Sequence, residues 1–475
     1  MNKLTKIVVT LGPSSDSEEM IEKLILLGVN IFRYNFKHNT LEWHSERIER
    51  VKKIADRLGV VVGTLIDLQG PSLRINMPQD QLIIEKGEIL AFGASAFENG
   101  KKGLSITHPD IINHLKPGQK LLADDGAFTF YFQKEKDGVQ LRSDTTGVLK
   151  NHKSLNIPGA DYPFPVLIDR DFQGLELAAR KDVDFIALSF VRNARDIRIV
   201  HKEAEKYKVK GKYIAKIETQ SGLDHIDEII SVADGIMVAR GDLGVEIPVE
   251  EVPYFQKMMI KKCITAGKPV ITATQMLQSM IDNPTPTRAE VSDMANAVYD
   301  ETDCVMLSAE SASGKYPLQA VETMRRTVSY NELLRTENLT RSFDHSVKDI
   351  PSMICDTAYG LYLQHVHSNQ KIAGFLVFTQ TGKTAQLLSR YRAKTPIYAF
   401  TPNKKVRDMM TINFGVVPFS REVQPDAEVS RQSVREVVDF LLSKNLLQKG
   451  AKLIVLHGDY WAVTGGTSTV QLVEA

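Results

Sequence analysis

Short apolar runs rich in Val and Ile recur along the first two thirds of the chain, and a segment of helical periodicity follows each of them. Runs of this length are typical of buried strands, and their alternation with helices favours a parallel sheet. Eight strands in this order predict a closed (β/α)₈ barrel, with an open doubly wound sheet as the alternative. The eight runs are KIVVTLG, NIFRYNF, VVVGTLIDL, DFIALSFV, YIAKIET, GIMVAR, PVITATQ and CVMLS.

Two of the predicted helices carry end signals. Ser15 and Glu18 have the spacing of a capping box before the first helix, and Gly28 follows its last turn. Thr287 and Glu290 have the same spacing before a later helix. Both segments are therefore predicted to be helices that connect barrel strands.

The alternation stops between about residues 76 and 160, where short strands are separated by Gly, Pro and Asp turns. This pattern predicts a small β domain inserted after the third strand, placed to act as a lid over the active face. A second stretch of alternating helices and strands, over 345–475, predicts a separate open α/β domain. The predicted domains are a barrel at 1–75 and 161–340, a β lid at 76–160 and the C-terminal domain.

Composition narrows the class of protein. The 475 residues contain 59 Lys and Arg against 58 Asp and Glu, a balance that gives no indication of nucleic-acid binding. The three cysteines are far apart, which favours a reducing compartment over a disulfide framework. No apolar run approaches the roughly 18 residues of a membrane span, so we expect a cytoplasmic protein with no membrane partner.

One predicted strand, FRYNFK, places aromatic rings on one face and the cations Arg33 and Lys37 on the other. Two neighbouring cations repel, so an anion is expected between them unless this face is solvated. The ends of the other strands also carry polar side chains, and catalytic groups lie at such ends in barrels of this type. They include Asp67, Arg74, Lys216, Glu218, Gly241, Asp242, Thr274 and Ser308.

Lys216 and Glu218 are two residues apart and therefore share one face of a strand, and Asp242 ends the next strand. Carboxylates from adjacent strands can bind a hard divalent ion such as Mg²⁺. A buried ion pair between Lys216 and Glu218 is the structural alternative. For Thr274 and Ser308 the alternative is a hydroxyl bonded to a backbone carbonyl. Together with Arg33, these groups suit phosphoryl transfer, which depends on positioning and charge neutralisation.

These residues lie in blocks that resemble the pyruvate kinase family, in the family's order. The blocks include TKIVVTLGPSS, LNIPG, LSFVR, DGIMVARGDLGVEIP, ITATQML and NPTPTRAEVSDMANAV. The resemblance implies a phosphotransferase (EC 2.7.1.40) that converts phosphoenolpyruvate and ADP to pyruvate and ATP in glycolysis. It covers most of the barrel, and it extends more weakly to the β insert and the last domain.

The resemblance also implies roles at matching positions. Lys216 would stabilise the phosphoryl group in flight, Glu218 and Asp242 would bind Mg²⁺ or Mn²⁺, and Arg33 would hold the substrate phosphate. The remaining roles are carboxylate binding by Gly241, Asp242 and Thr274, proton delivery to the enolate by Thr274 and Ser308, and nucleotide binding by Asn35, His38, Arg74 and Lys153.

The potassium site departs from the family pattern. In the family this site uses Asn, Ser, Asp and Thr. The matching positions in this chain are Asn35, Lys37, Asp67 and Leu68, so that Lys replaces Ser and Leu replaces Thr. An ammonium and K⁺ about 4 Å apart would repel by roughly 4 kcal/mol at an effective dielectric of 20. We therefore expect Lys37 to replace K⁺, so that the enzyme does not require it; a Lys37 that points to solvent, with K⁺ bound elsewhere, is the alternative. Five further residues differ from the usual family pattern without removing a group assigned to metal binding or phosphoryl transfer: Gln69, Ser72, Thr219, Ala309 and Ser311.

In the last domain, TQTGKT resembles the family's phosphate-binding effector loop, although a plain turn before a helix is equally compatible. The residues concerned are Thr379, Thr381, Gly382, Lys383 and Thr384. The family implies a homotetramer and a phosphorylated effector. Two other functions are compatible with a barrel that binds metal: a different phosphoenolpyruvate or 2-oxoacid reaction, such as that of an aldolase or phosphomutase, and a catalytically silent sensor of metabolites.

Overall fold

The structure is a computed structural model, and it describes residues 3–94, 96–135, 138–159, 164–337, 343, 349–422, 428–460 and 464–475. The described strands form four sheets. The list in chain order is β1 (Lys6–Thr10), β2 (Ile31–Asn35), β3 (Gly63–Asp67), β4 (Ile75–Asn76), β5 (Gln81–Ile84), β6 (Ile89–Phe92), β7 (Gly103–Ile106), β8 (Lys120–Ala123), β9 (Phe128–Glu135), β10 (Gly138–Ser143), β11 (Gly147–Lys150), β12 (Leu155–Asn156), β13 (Phe185–Leu188), β14 (Lys212–Ile217), β15 (Gly235–Ala239), β16 (Val270–Ala273), β17 (Cys304–Leu307), β18 (Ile372–Phe378), β19 (Ile397–Thr401), β20 (Val416–Ser420), β21 (Lys452–Gly458) and β22 (Thr467–Glu474).

The helices connect these strands. In chain order they are α1 (Glu18–Leu26), α2 (Leu41–Leu58), α3 (Asp169–Arg180), α4 (Ala194–Lys206), α5 (Gln220–Asp224), α6 (Ile226–Val232), α7 (Arg240–Glu246), α8 (Val252–Ala266), α9 (Arg288–Tyr299), α10 (Ala309–Ala312), α11 (Pro317–Leu334), α12 (Ile350–His367), α13 (Lys383–Ser389), α14 (Lys404–Met409) and α15 (Arg431–Ser443). Among the described helices, none is long and apolar enough to cross a membrane.

Eight parallel strands close into a barrel in the order β1, β17, β16, β15, β14, β13, β3 and β2. They are the eight strands predicted from the apolar runs, so the barrel prediction is confirmed and the open-sheet alternative is wrong. In β2, Phe32 and Tyr34 are fully buried in the layer between strands and helices, while Arg33 lies on the other face. The predicted division of this strand into an aromatic and a cationic face is therefore present.

The capping predictions had mixed outcomes. At α9, Thr287 and Glu290 form both hydrogen bonds of a capping box, as predicted. At α1 the prediction was wrong, because Ser17 is the N-cap and its side chain accepts from the amide of Met20. The hydroxyl of Ser15 is instead bonded to the backbone of Gly12, since a turn precedes the helix.

The segment between β3 and α3 forms the β-rich insert. One sheet has the order β12, β8, β9, β10, β6, β7 and β4, and β5 pairs with β11 in a second sheet. The apolar faces enclose a separate core that includes Phe92, Phe130 and Leu141. This insert therefore has a core of its own.

The C-terminal part is an α/β domain with the strand order β20, β19, β18, β21 and β22. The first four strands are parallel, and β22 is antiparallel to β21. Ile412 from this domain packs into the core inside the barrel, and a buried ion pair of 2.6 Å joins Arg392 to Asp303 just before β17. The domain therefore packs against the barrel end opposite to the predicted active face.

Candidate active site

A cavity of about 600 Å³ lies between the C-terminal ends of the barrel strands and the β insert. The barrel contributes Lys37, Ser189 and Asp242 to its lining, and the insert and its connections contribute Arg74 and Asn156. Because strand ends of the barrel and residues of the insert share this one space, the predicted lid lies over the predicted active face.

Arg33, Asp67 and Lys216 form a buried ionic cluster that does not itself line the cavity but adjoins it through Ser189, which does. The Arg33 guanidinium donates from Nε to Asp67 Oδ2 at 2.7 Å and from Nη1 to Thr10 Oγ1 at 2.7 Å. Lys216 Nζ lies 3.2 Å from Asp67 Oδ1. Burial alone would raise the pKa of Asp67, but Lys216 and Arg33 bring it below its usual value. Asp67 is therefore an anion that orients two cations.

The Lys216 ammonium is held from three sides. It donates to Ser189 Oγ at 2.7 Å, and Ser189 in turn donates to the carbonyl of Leu68 at 2.7 Å. Burial alone would lower the pKa of Lys216, but the Asp67 and Glu218 carboxylates raise it above its ordinary value. The side chain is thus a charged and positioned ammonium, which is suited to stabilise a developing anion.

Glu218 is fully buried beside Lys216, with Oε1 at 2.9 Å from Nζ, so the buried ion pair considered as an alternative is present. Its Oε2 accepts from the amide of Phe190 at 2.6 Å, whereas Oε1 accepts no hydrogen bond from the described residues. The Lys216 ammonium is therefore a counter-ion to Oε1 and not a hydrogen-bond donor to it.

Burial raises the pKa of Glu218, Lys216 opposes this effect, and the nearby Asp242 carboxylate raises it further. Two carboxylates that repel each other, one of them with an oxygen that lacks a donor, are a suitable oxygen donor set for a divalent ion. The residues present at this position therefore fit a hard divalent metal ion.

Lys37 points into the site. Its Nζ lies 5.6 Å from the centre of the Phe190 ring, and its charge lowers the pKa of both Asp67 and Glu218. Its backbone amide donates to Asn35 Oδ1 at 3.1 Å. Leu68 is 2 % exposed, packs in the main core, and uses its carbonyl to accept from Ser189. Of the four positions that match the potassium site, Asn35, Asp67 and Leu68 thus already have internal donors on oxygen atoms.

Two of the four residues predicted to bind nucleotide line the cavity, whereas Asn35 and Lys153 are not among its lining residues. His38 and Arg74 line the cavity, and Arg74 Nη1 donates to the carbonyl of His152 at 3.4 Å. Lys153 forms an ion pair with Asp124 at 2.6 Å within the insert. Lys153 would have to exchange this partner to reach a phosphate.

Thr274 and Gly241 are in direct contact. The amide of Gly241 donates to Thr274 Oγ1 at 2.8 Å, and this hydroxyl donates to the carbonyl of Ala273 at 2.7 Å. The alternative of a backbone-bonded hydroxyl is therefore seen for Thr274. Its φ of 65° is unusual for a β-branched residue, and such backbone strain concentrates at functional sites.

Ser308 differs from Thr274. Its Oγ is buried and has no hydrogen-bond partner among the residues that the structure describes. Its backbone amide donates to Glu310 Oε2 at 2.7 Å, and Glu310 is fully buried. The unpaired hydroxyl is consistent with a group that bonds to water or substrate.

Three further residues support the site. No role was assigned to any of them from the sequence, although Ser189 is one of the polar residues at the strand ends. Ser189 positions Lys216, the amide of Phe190 holds Glu218, and the Asp171 carboxylate accepts from the amides of Gln69 (2.8 Å) and Gly70 (3.2 Å). Ser189 ends a barrel strand, a position that could have indicated its role. The backbone contact of Phe190, at a φ of 55°, has no signal in the sequence.

The loop that resembles an effector site borders a second cavity of about 150 Å³ in the C-terminal domain. Gly382 has a φ of 81°, which favours glycine, and its amide donates to Thr379 Oγ1 at 3.0 Å. Thr384 and Thr467 both line this cavity, and their hydroxyls are hydrogen-bonded to each other at 2.8 Å. Thr381 and Lys383 complete the lining on the loop side.

Comparison with known proteins gives a consistent result over almost the whole chain. The family profile for the pyruvate kinase barrel domain matches residues 2–321, and that for the pyruvate kinase alpha/beta domain matches residues 362–473. Pyruvate kinase of Staphylococcus epidermidis is 39% identical over 98% of this chain and 78% of its own length.

Two further relatives agree. Pyruvate kinase of Geobacillus stearothermophilus is 38% identical over 99% of this chain and 80% of its own length. Pyruvate kinase of Staphylococcus aureus is 38% identical over 98% of this chain and 78% of its own length. Members of this family are phosphotransferases that use a divalent metal and convert phosphoenolpyruvate and ADP to pyruvate and ATP. The chain belongs to the pyruvate kinase family.

Proposed function

We propose that this enzyme performs the pyruvate kinase reaction without a monovalent cation, because Lys37 supplies the positive charge that the family's potassium site would otherwise hold. The observation that carries the proposal is the position of Lys37, whose ammonium faces Phe190 at 5.6 Å and acts on the buried Asp67 and Glu218. A second cation about 4 Å away would be disfavoured by roughly 4 kcal/mol at an effective dielectric of 20.

Arg33 and Lys216 neutralise the phosphoryl group. Asp67 contacts both cations, so their positions are fixed before the substrate binds. Catalysis of phosphoryl transfer depends on such prior positioning of positive charge. Lys216 contacts the group in flight, and Arg33 holds the phosphate in the bound substrate.

Glu218 and Asp242 would hold the divalent ion, Mg²⁺ or Mn²⁺. Such an ion supplies charge neutralisation for the enolate and phosphoryl oxygens when bound. The Oε1 atom of Glu218, buried without a hydrogen-bond donor among the described residues, supports this assignment. Gly241 and Thr274 would exchange their mutual hydrogen bond for bonds to the substrate carboxylate.

Ser308 and Thr274 would deliver the proton to the enolate. Ser308 Oγ has no partner in the described structure, so it can bond to a water or to the substrate. Asn35, His38, Arg74 and Lys153 would face the nucleotide, with the lid bringing the last two over the barrel.

A lactate-dehydrogenase-coupled assay tests the reaction and its cation requirement together. In Tris buffer with Mg²⁺ and without K⁺, the enzyme is expected to form pyruvate at a rate that depends on ADP. No ADP-dependent pyruvate at any K⁺ concentration would favour the aldolase-like reaction or the silent sensor. Pyruvate formation that needs K⁺ would leave the reaction in place and remove the role of Lys37.

Regulation and assembly complete the proposal. A phosphorylated metabolite would bind at the loop of Thr379, Thr381, Gly382, Lys383 and Thr384, and the enzyme would be a homotetramer, as is usual in the family. A thermal-shift screen with sugar phosphates and nucleotides tests the loop, with Lys383→Ala as the control. Light scattering of the protein as it elutes from a size-exclusion column measures the molar mass and so tests the tetramer. A mass equal to that of a monomer would contradict it.

A further inference from the structure

A turn of residues 36–39 follows β2 and borders the active-site cavity. Arg170, in the first turn of α3, reaches across to this turn. Its Nε donates to the carbonyl of Phe36, and its Nη2 donates to the carbonyls of His38, at 3.2 Å, and of Asn39. One guanidinium therefore binds three of the four carbonyls of the turn.

The same turn is held from a second side by His44 of α2. Its Nε2 lies 2.9 Å from the carbonyl oxygen of His38, and because a carbonyl can only accept, this nitrogen carries the proton. The ring of Phe36 stacks on the His44 ring, with the centroids 4.3 Å apart and the planes at 15°. The Arg170 guanidinium carbon lies 5.9 Å from the centre of the Phe36 ring. Phe36 is thus held through both its carbonyl and its side chain.

These contacts fix the two peptide groups on either side of the Lys37 Cα atom. The first group has its carbonyl at Phe36, which Arg170 binds. Its N–H belongs to Lys37 and donates to Asn35 Oδ1 at 3.1 Å. The second group has its N–H on His38, which donates to the Asn35 carbonyl at 3.2 Å. Because peptide groups are planar, fixing both of them sets φ and ψ of Lys37 and the direction in which its side chain leaves the backbone.

Arg170 acts on the cavity from outside it. Lys37 and His38 are among the described residues that line the cavity, and Arg170 is not. The next residue of the helix, Asp171, accepts from the amides of residues 69–70, in the loop that follows β3. The strands β2 and β3 are paired in the barrel. Two adjacent side chains of α3, one cation and one anion, therefore hold the loops that follow two neighbouring strands.

We propose that Arg170 is a positioning residue that holds the turn of residues 36–39, so that the Lys37 ammonium stays where the family would bind a monovalent cation. This inference rests on the proposed role of Lys37 and adds the residue that enforces it. Without the guanidinium, three carbonyls of the turn would bind water instead, and the Lys37 side chain would leave the site for part of the time. A K⁺ ion can then enter the vacated position, because the repulsion by the ammonium is absent.

The cation dependence of Arg170→Met tests the proposal. Methionine keeps an apolar stem beside Phe36 but cannot donate to the carbonyls. In Tris buffer without K⁺, kcat/KM for phosphoenolpyruvate should fall about 10- to 100-fold, and added K⁺ should raise it again at least about threefold, whereas wild type responds by less than about twofold. Arg170→Lys keeps the charge but not the planar fork, so it should recover only part of the loss. Exposed Arg180→Met, at the other end of α3, is the matched control and should behave as wild type.

Hydrogen exchange followed by mass spectrometry gives a second measurement that does not depend on K⁺. Peptides that contain the amides of Lys37 and His38 should exchange at least about tenfold faster in Arg170→Met than in wild type, because the turn opens more often. Unchanged exchange would overturn the proposal. Faster exchange with an equal loss of activity at every K⁺ concentration would also overturn it, by showing a merely structural role, as would full recovery of activity in Arg170→Lys. A wild type that requires K⁺ would remove the proposed function, and faster exchange in Arg170→Met would then still support the positioning of the turn.

Discussion

The ammonium of Lys37 lies 5.6 Å from the centre of the Phe190 ring and faces the active-site cavity. The amide of this same Phe190 donates to Glu218 Oε2 at 2.6 Å. Lys37 is thus placed beside the residue that holds the proposed metal ligand. This position favours a structural cation that is part of the polypeptide over a lysine directed into solvent.

Replacing Lys216 should abolish turnover with little effect on substrate binding. In Lys216→Met the Asp67 and Glu218 carboxylates lose their shared ammonium, and we expect kcat to fall by about 10³-fold or more. KM for phosphoenolpyruvate should change much less, because Arg33 remains. Steady-state kinetics measure this, with exposed Lys210→Met as the control. A fall in kcat of less than tenfold would contradict the role of Lys216.

Removing the hydroxyl of Ser308 should separate proton transfer from phosphoryl transfer. Because Oγ has no partner among the described residues, Ser308→Ala should keep the melting temperature of wild type within about 2 °C. Deuterium exchange at the methyl group of pyruvate, followed by NMR with ATP and metal present, should slow about 10- to 100-fold. Unchanged exchange would exclude Ser308 from the proton path.

The carboxylates of Asp242 and Glu218 should both contribute to the affinity for the divalent metal. Asp242→Asn should weaken Mn²⁺ binding at least about tenfold, because a neutral amide replaces a charged ligand. Glu218→Gln should do the same and should also disturb Lys216, its neighbour at 2.9 Å. Electron paramagnetic resonance titration with Mn²⁺ measures both, with exposed Glu251→Gln as the control. Wild-type affinity in both variants would place the metal elsewhere.

Glu246, the last residue of α7, should make the free energy of unfolding depend on pH in the direction opposite to that of most carboxylates. Burial raises its pKa from 4.5 to about 7, so the folded state binds this proton more tightly than the unfolded state does. The resulting stabilisation is complete below pH 4.5 and is lost as the pH rises to about 7. Its largest contribution to the free energy of unfolding is about 3 kcal/mol.

The melting temperature of wild type, compared with that of Glu246→Gln, should therefore fall between pH 5 and pH 8. The variant cannot ionise at this position, so it provides the reference at each pH. A difference in melting temperature that stays constant, or that grows in favour of wild type as the pH rises, would contradict the raised pKa.

The barrel was predictable because its signals are local and repeated. Each buried strand is a short apolar run, and each closing helix has its own periodicity, so eight repetitions left little ambiguity. The cap of α1 was not predictable to the residue, since Ser15 and Ser17 both precede an acidic first turn. Only the turn at Gly12 decides between them.

The sequence indicated which residues come together at the site better than it indicated the contacts that these residues make. Strand ends identified Arg33, Lys216 and Glu218, because the barrel brings such ends together. The bond from the Phe190 amide to Glu218 depends on backbone conformation, which single-residue patterns do not encode.

The most direct test of the central claim compares K⁺ activation in wild type and in Lys37→Ser, with NaCl or Tris replacing KCl at constant ionic strength. We predict that K⁺ changes kcat/KM for phosphoenolpyruvate of wild type by less than about twofold. Lys37→Ser should lose activity without K⁺ and regain at least about tenfold when it is added, because a vacated cation position can then be filled. Strong activation of wild type by K⁺, with no gain of K⁺ dependence in the variant, would contradict the account.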